Sequence, residues 1–201
     1  MELRWFLVGA IPEDVQQWFS QGTPAPKKEG RRADHYLCLP AYDDVGIKQR
    51  EGNIEVKRRL AERGVQTFGK GISGRIEQWV KWSFGLDKQP LPDVTKPAGS
   101  WVMVEKTRQL KKFAVTPEGA VNATDASAQI AQGCNLELTS LVLDGAAWWS
   151  LGFEAFGEIE AVATNLHLTS EHVLADNHFP LLQAEDSFSY PKWLCLLTAG
   201  A

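Results

Sequence analysis

Successive side chains of a β-strand point to opposite faces, so a strand in a half-buried sheet alternates apolar with polar residues. Two stretches of this chain break that pattern in the same way. Trp101-Val102-Met103-Val104-Glu105-Lys106-Thr107-Arg108 reads as a strand with Lys106 and Arg108 on one face, yet Glu105 and Thr107 stand on the other. Asn53 to Arg59 carries Glu55, Lys57 and Arg59 on one face and Arg58 on the other. Neither stretch has a simple dry side. A sheet closed into a barrel with a polar interior accommodates charge on both faces. An ordinary antiparallel sheet with one solvated side also places charges at alternate positions, and strand by strand that reading stays open.

The second of these stretches is half of a hairpin. Gly46-Ile47-Lys48-Gln49-Arg50 and Asn53 to Arg59 flank a tight turn at Glu51-Gly52-Asn53, with Lys48 and Arg50 sharing a face of the first arm. The result is a cationic surface on a rigid sheet, inside a chain whose formal net charge is −4. That balance argues against a general nucleic-acid binder, which carries a basic excess. Local placement of the cations therefore matters more than their total, and it points to an anion.

With 201 residues, 44% of them hydrophobic, residues 1–201 are expected to form one domain with a sizeable core. Apolar runs fall short of the roughly 20 residues of a spanning helix, and Met1-Glu2-Leu3-Arg4-Trp5 lacks the regions of a signal peptide, so the expectation is a cytoplasmic protein with no membrane partner. Cys38, Cys134 and Cys195 are widely spaced and form no CxxC, which speaks against a disulfide scaffold or a structural zinc site. His35, His167, His172 and His178 show no metal-ligand spacing, and no GxSxG, Walker loop or GxGxxG is present. Gly69-Lys70-Gly71-Ile72-Ser73-Gly74 reads as a flexible turn. The eight tryptophans, including Trp148-Trp149, are expected to pack core and rim.

In chain order, Glu2 to Val8 suits a first strand, with Glu2, Arg4 and Phe6 on one face. Pro12-Glu13-Asp14 opens a helix that Gly22 stops. Residues 23–33 have loop composition, and Asp34 to Leu39 follows as a strand. Leu60 to Lys70 is charged and Gly-punctuated, Ile72 to Phe84 fits strand or helix, and Gln89 to Pro97 is a second loop. A polar, alanine-rich stretch reaches Gly133. Cys134 to Leu141 alternates cleanly, with Glu137 and Thr139 on one side; Asp144-Gly145 signals a turn, and Trp148 to Phe156 returns with Glu154 and Phe156 on one side. Ile159 to Leu166 has helical period, Thr169-Ser170-Glu171 starts another short helix ending near Asp176-Asn177, and Pro191 opens a last apolar helix.

Taken together, Asp34-His35-Tyr36, Gly46 to Arg50, Ile54-Glu55-Val56-Lys57, Val104 to Arg108, Leu136-Glu137-Leu138, Phe153-Glu154-Ala155-Phe156 and Ser189-Tyr190, in this order over nearly the whole chain, resemble the CYTH family of triphosphate tunnel enzymes. The resemblance implies an α+β fold: an antiparallel eight-stranded closed or nearly closed β-barrel, a tunnel, with flanking helices. It further implies that Lys and Arg grip a triphosphate while carboxylates hold Mg²⁺ or Mn²⁺. Carried over by position, Lys48, Arg50, Lys57, Lys106 and Arg108 are the phosphate grips, with Arg59 beside them, and Glu2, Glu137 and Glu154 are the metal-side acids.

At the family's opening Glu-x-Glu-x-Lys this chain reads Glu2-Leu3-Arg4-Trp5-Phe6, so a cation replaces the second acid and an aromatic ring the lysine. Arg4 beside a metal position repels the metal and itself neutralises phosphate charge. The far Glu-x-Glu appears as Glu154-Ala155-Phe156, or else as Glu158-Ile159-Glu160 beyond Gly157. Two expectations follow. One is a binder of tripolyphosphate or a nucleoside triphosphate that is also a divalent-metal-dependent triphosphate phosphohydrolase of altered activity. The other is a catalytically inactive binding or scaffold protein on the same barrel. No catalytic residue is singled out.

Overall fold

The computed structural model describes residues 1–39, 42–69, 71–85, 101–175 and 182–198. Ten strands and three helices occur in the order β1 (Glu2–Val8), α1 (Glu13–Ser20), β2 (Lys27–Lys28), β3 (Arg32–Leu37), β4 (Val45–Arg50), β5 (Asn53–Phe68), β6 (Ile72–Gly85), β7 (Trp101–Val115), β8 (Val121–Thr124), β9 (Gly133–Leu143), β10 (Ala146–Phe156), α2 (Val162–Leu174) and α3 (Tyr190–Thr198), with a short 3-10 turn at Ala184–Asp186 before α3. The sheet runs β7-β3-β4-β5-β6-β1-β10-β9, and β9 pairs back onto β7. Eight antiparallel strands thus close a barrel, and β2 and β8 extend along β7.

Turn chemistry sets the register of the hairpins. Glu51 and Gly52 have φ of 48° and 78°, and Asp144 and Gly145 have 48° and 79°, the two left-handed residues of a type I′ turn, whose twist matches that of the flanking strands. Each joins strands paired residue for residue, Arg50 opposite Asn53 and Leu143 opposite Ala146.

Several elements differ from the sequence reading. Residues 23–33 are not all loop: Lys27–Lys28 pairs with β7, and β3 already begins at Arg32. Leu60 to Lys70 continues β5 as far as Phe68, because two register shifts after Arg59 and Glu62 absorb the glycine and let pairing with β6 resume. Ile72–Gly85 is a strand, which takes Gly74 out of the expected turn. Part of the alanine-rich stretch forms β8, and the two short helices expected after Gly157 are one, α2. The Gln89–Pro97 loop and the Asp176–Asn177 helix end lie outside the described residues.

Closure sorts side chains between two cores. Outward-facing Leu3, Trp5, Ile72, Ile76, Leu136, Leu138, Leu151 and Phe153 pack with Val15 and Phe19 of α1 and Leu166 and Leu174 of α2, so helices dry one side of the barrel. A second cluster lies inside the barrel at one end. Phe6, Val104, Leu141 and Leu143 meet Trp193 and Leu194 of α3, and Phe6 stacks on Trp193 with ring centroids 4.8 Å apart. The last helix therefore stoppers the barrel. Among the described residues no helix is long and apolar enough to cross a membrane.

One glycine is required by close approach. A Cβ on Gly74 would fall 2.5 Å from both Leu3 Cδ1 and Trp5 Cζ2, because the Trp5 indole lies flat against β6 and donates to Ser73 O at 2.8 Å. Gly74→Ala is expected to overpack this core and cost about 1–3 kcal/mol, read as a lowered urea midpoint with the native spectrum retained below the transition.

Candidate functional site

The inner faces of the strands surround a cavity of about 460 Å³. Eight cationic side chains line it, Arg4, Arg32, Lys48, Arg50, Lys57, Lys81, Lys106 and Arg108, against four acids, Glu2, Glu55, Glu137 and Glu154. Six of the seven cations expected at the site are therefore present, as are all three expected acids. Arg59 is the exception. It bonds Glu77 at 2.8 Å and Asp43 at 2.9 Å, and Asp43 in turn bonds Lys192 of α3 at 3.0 Å. Arg59 ties β5 to the stopper instead of lining the cavity, which its position one step from Lys57 toward the stoppered end dictates.

Register explains how Arg4 works. Arg4 is opposite Gly152, and Gly152 is opposite Glu137. The missing side chain between them lets the Arg4 guanidinium lie across β10, where a Cβ on Gly152 would come 2.5 Å from Arg4 Cζ, and donate to Glu137 Oε2 at 2.8 Å. Arg108 donates to the other Glu137 oxygen and forks across Glu29, Nε to Oε2 at 2.9 Å and Nη2 to Oε1 at 2.7 Å. Arg32 shares Glu29 and reaches Asp34 at 3.3 Å.

A second group surrounds the fully buried Asp34. Lys106 lies 3.3 Å and Lys48 3.8 Å from its carboxylate, and Lys48 also meets Glu55 at 3.0 Å. Lys106 donates to the Tyr36 hydroxyl, and its ammonium sits 3.7 Å from the centre of the Tyr190 ring contributed by α3. Glu29, Arg32, Asp34, Tyr36, Lys81 and Tyr190 were not among the expected site residues. Alternation through Asp34 and Tyr36 carried a signal for Arg32, but residues 23–33 read as loop. Lys81 was hidden by the strand-or-helix ambiguity of its segment. No sequence pattern marks Glu29.

Nearest the open end, the Lys57 ammonium bonds Glu2 and stands 3.4 Å from Glu154. These acids do not fit a divalent cation as they stand. A hard cation needs several oxygens converging on one point, but Lys57 occupies the place between Glu2 and Glu154, and Glu137 faces away onto Arg4 and Arg108. Among the described residues no three His, Cys, Asp or Glu side chains converge as a metal cage.

Protonation follows from this pairing. Burial alone would raise the Glu137 carboxyl, yet Arg4 and Arg108 bring it down to about 2, so it is ionised at neutral pH. Burial opposes the Lys57 charge as well, and Glu2 and Glu154 overcome it, raising Lys57 above the usual lysine range. Lys106 goes the other way. Burial lowers it to about 7, with Asp34 opposing and Arg4 and Arg32 adding to the fall.

The groups facing Lys106 are Asp34, Tyr36, Tyr190, Arg4, Arg32 and Lys48. Its folded value lies below the usual 10.5, so between about pH 7 and 10.5 the unfolded chain holds this proton more tightly than the folded one. Stability contributed by this group therefore rises with pH across that window. Urea midpoints measured from pH 7 to 10 are expected to rise more steeply, or fall less, in the wild type than in Lys106→Met; identical slopes would show that Lys106 keeps an ordinary value.

No family model matches the chain, and a search of the curated proteins gave no match.

Proposed function

We propose that the barrel interior binds a linear phosphate polyanion, tripolyphosphate or the triphosphate tail of a nucleoside triphosphate, through Lys and Arg directly and without a resident metal. The observation that carries this reading is the convergence of eight cations on one cavity against four lining acids and two more, Glu29 and Asp34, bonded from its wall. The cations still outnumber these acids, and such an excess in a half-buried bore attracts polyanions.

Two further observations support it. Arg50 Nε, Thr139 Oγ1 and Ser189 Oγ are buried, belong to cavity-lining residues and have no hydrogen-bond partner. Each is a donor that a phosphate oxygen satisfies. Arg50 is also the least committed guanidinium, with its carboxylate contacts at 3.7 Å. The volume of about 460 Å³ falls in the range of small-molecule sites. The closed barrel and its polar bore agree with the fold that the CYTH resemblance implies, and the substitutions at Arg4 and Phe6 favour binding over hydrolysis. Every acid lining the bore is ion-paired with a cation of the chain, which leaves none to hold a metal or activate water.

Calorimetric titration with tripolyphosphate in EDTA is expected to show saturable binding, weakened about tenfold or more by Arg50→Ala, since a charge-assisted bond to phosphate is lost. Thr139→Val is expected to weaken binding by a smaller factor. Absence of binding both in EDTA and with Mg²⁺ overturns the reading. Binding that appears only with Mg²⁺ or Mn²⁺, accompanied by phosphate release, replaces it with the phosphohydrolase.

A further inference from the structure

Two thiols that no sequence pattern associates stand at the far end of the stoppering helix. Cys38 directly follows β3, and Cys195 lies in α3. Each contacts the segment that carries the other. Cys38 Sγ is 3.2 Å from Thr198 Oγ1, and Thr198 Oγ1 in turn donates to the Cys195 carbonyl at 3.4 Å. Cys195 Sγ is 3.5 Å from the carbonyl of Leu39, the residue after Cys38. Burial and then Cys38 push the Cys195 thiol up from its usual range.

Both are free cysteines at the inner edge of the helix, 7% and 9% exposed, while the neighbouring Leu196 is 52% exposed on the outer side. The third cysteine provides an internal contrast. Cys134 belongs to the opposite core, under α2, where its sulfur lies 3.5 Å from the carbonyl of Asn135. Its thiol is raised strongly by burial.

We infer that Cys38 and Cys195 form a dithiol oxidation site that staples α3 into the end of the barrel. The co-reactant is a low-molecular-weight disulfide. One cysteine thiolate attacks it, forming a mixed disulfide and expelling one small thiol. The second cysteine, as thiolate, attacks the protein sulfur and expels the other small thiol. The two protein thiols lose two protons and two electrons, and the small disulfide is reduced to two thiols. Both thiols are buried and enter this reaction slowly, because access limits the attack. The site therefore answers sustained oxidation and alkaline pH, not brief exposure.

The consequence for the site follows from what α3 carries. Tyr190 lies against Lys106 and Arg4, and Pro191 packs against Gly46 of β4, where a Cβ would meet its Cγ at 3.0 Å. A covalent link between β3 and α3 fixes the floor of the cavity. The inference rests on the placement of the thiols and is independent of the anion reading.

The test is incubation of the folded full chain with glutathione disulfide at mildly alkaline pH, followed by intact-mass measurement and non-reducing peptide mapping. The expected product is a monomer lighter by about 2 Da, the two thiol hydrogens, with one linked peptide pair containing Cys38 and Cys195. Cys134→Ser is expected to keep this product, and Cys38→Ala and Cys195→Ala to lose it. The oxidised wild type is expected to melt at a higher temperature than its reduced form, with the difference abolished by a reductant. Glutathione adducts that persist without the internal link, a link involving Cys134, or intermolecular dimers as the product would each overturn the inference. So would full recovery of unmodified thiols after an exposure that oxidises the same chain in urea. Circular dichroism of each variant before oxidation ensures that a missing link is read on a folded chain.

Discussion

Charge taken from water into a barrel must find its counter-charge there, and the whole interior of this protein is arranged around that demand. The idealised penalty for an unpaired buried ion runs to many kcal/mol, whereas a well-bonded pair approaches balance. Arg4 and Glu137 illustrate how closely the fold meets the demand. They sit on strands that are not neighbours, and they bond only because Gly152 leaves the intervening strand bare on its inner face. Arg108 then holds the second oxygen of Glu137 and Glu29 holds Arg108, so one bare glycine anchors a chain of pairs that leads from β1 to the segment before β3. A one-residue slip of β10 would replace Gly152 with Leu151 or Phe153, put an aliphatic or aromatic side chain among the ions, and draw Trp149 out of the outer core. Register is thus specified from both sides of the strand.

The two cores do different work. The outer one, under α1 and α2, is an ordinary apolar interface and supplies the burial that holds the sheet closed. The inner one is small and aromatic and belongs to α3. Phe6 is its centre, and the ring stacks on Trp193 and meets Tyr190 edge-on at 4.9 Å. The aromatic side chain of Glu2-x-Arg4-x-Phe6 is therefore part of the seat of the stopper.

How far the sequence revealed this depends on what each residue type constrains locally. Closure was legible because charges on both faces of Trp101 to Arg108 and Asn53 to Arg59 suit a barrel with a polar interior better than a sheet with one dry face. The hairpins were legible because Glu51-Gly52 and Asp144-Gly145 require left-handed backbone that few other pairs adopt. Six of the seven expected cations line the cavity because alternation alone assigns their face once the strand is known. What failed was local. The extension of β5 past Arg59 depends on register shifts, which leave no period in the sequence, and Arg59 went with it. Arg32 and Glu29 lie where proline, glycine and lysine give loop composition, and pairing to β7 overrides that propensity. The Cys38 and Cys195 contact was invisible because it is made by the return of the last helix into the barrel, a tertiary event with no local signature.

The stoppered end gives the cavity a geometry that the word tunnel obscures. A bore open at both ends admits a long chain anywhere along its length, whereas a blind one admits only a chain end. Among the described residues α3 lies across one end. The anion proposed for the bore, if linear, would enter terminus first and leave by the way it came, so the depth from Glu2 and Arg50 down to Lys106 and Tyr190 would meet its terminal units and not its interior.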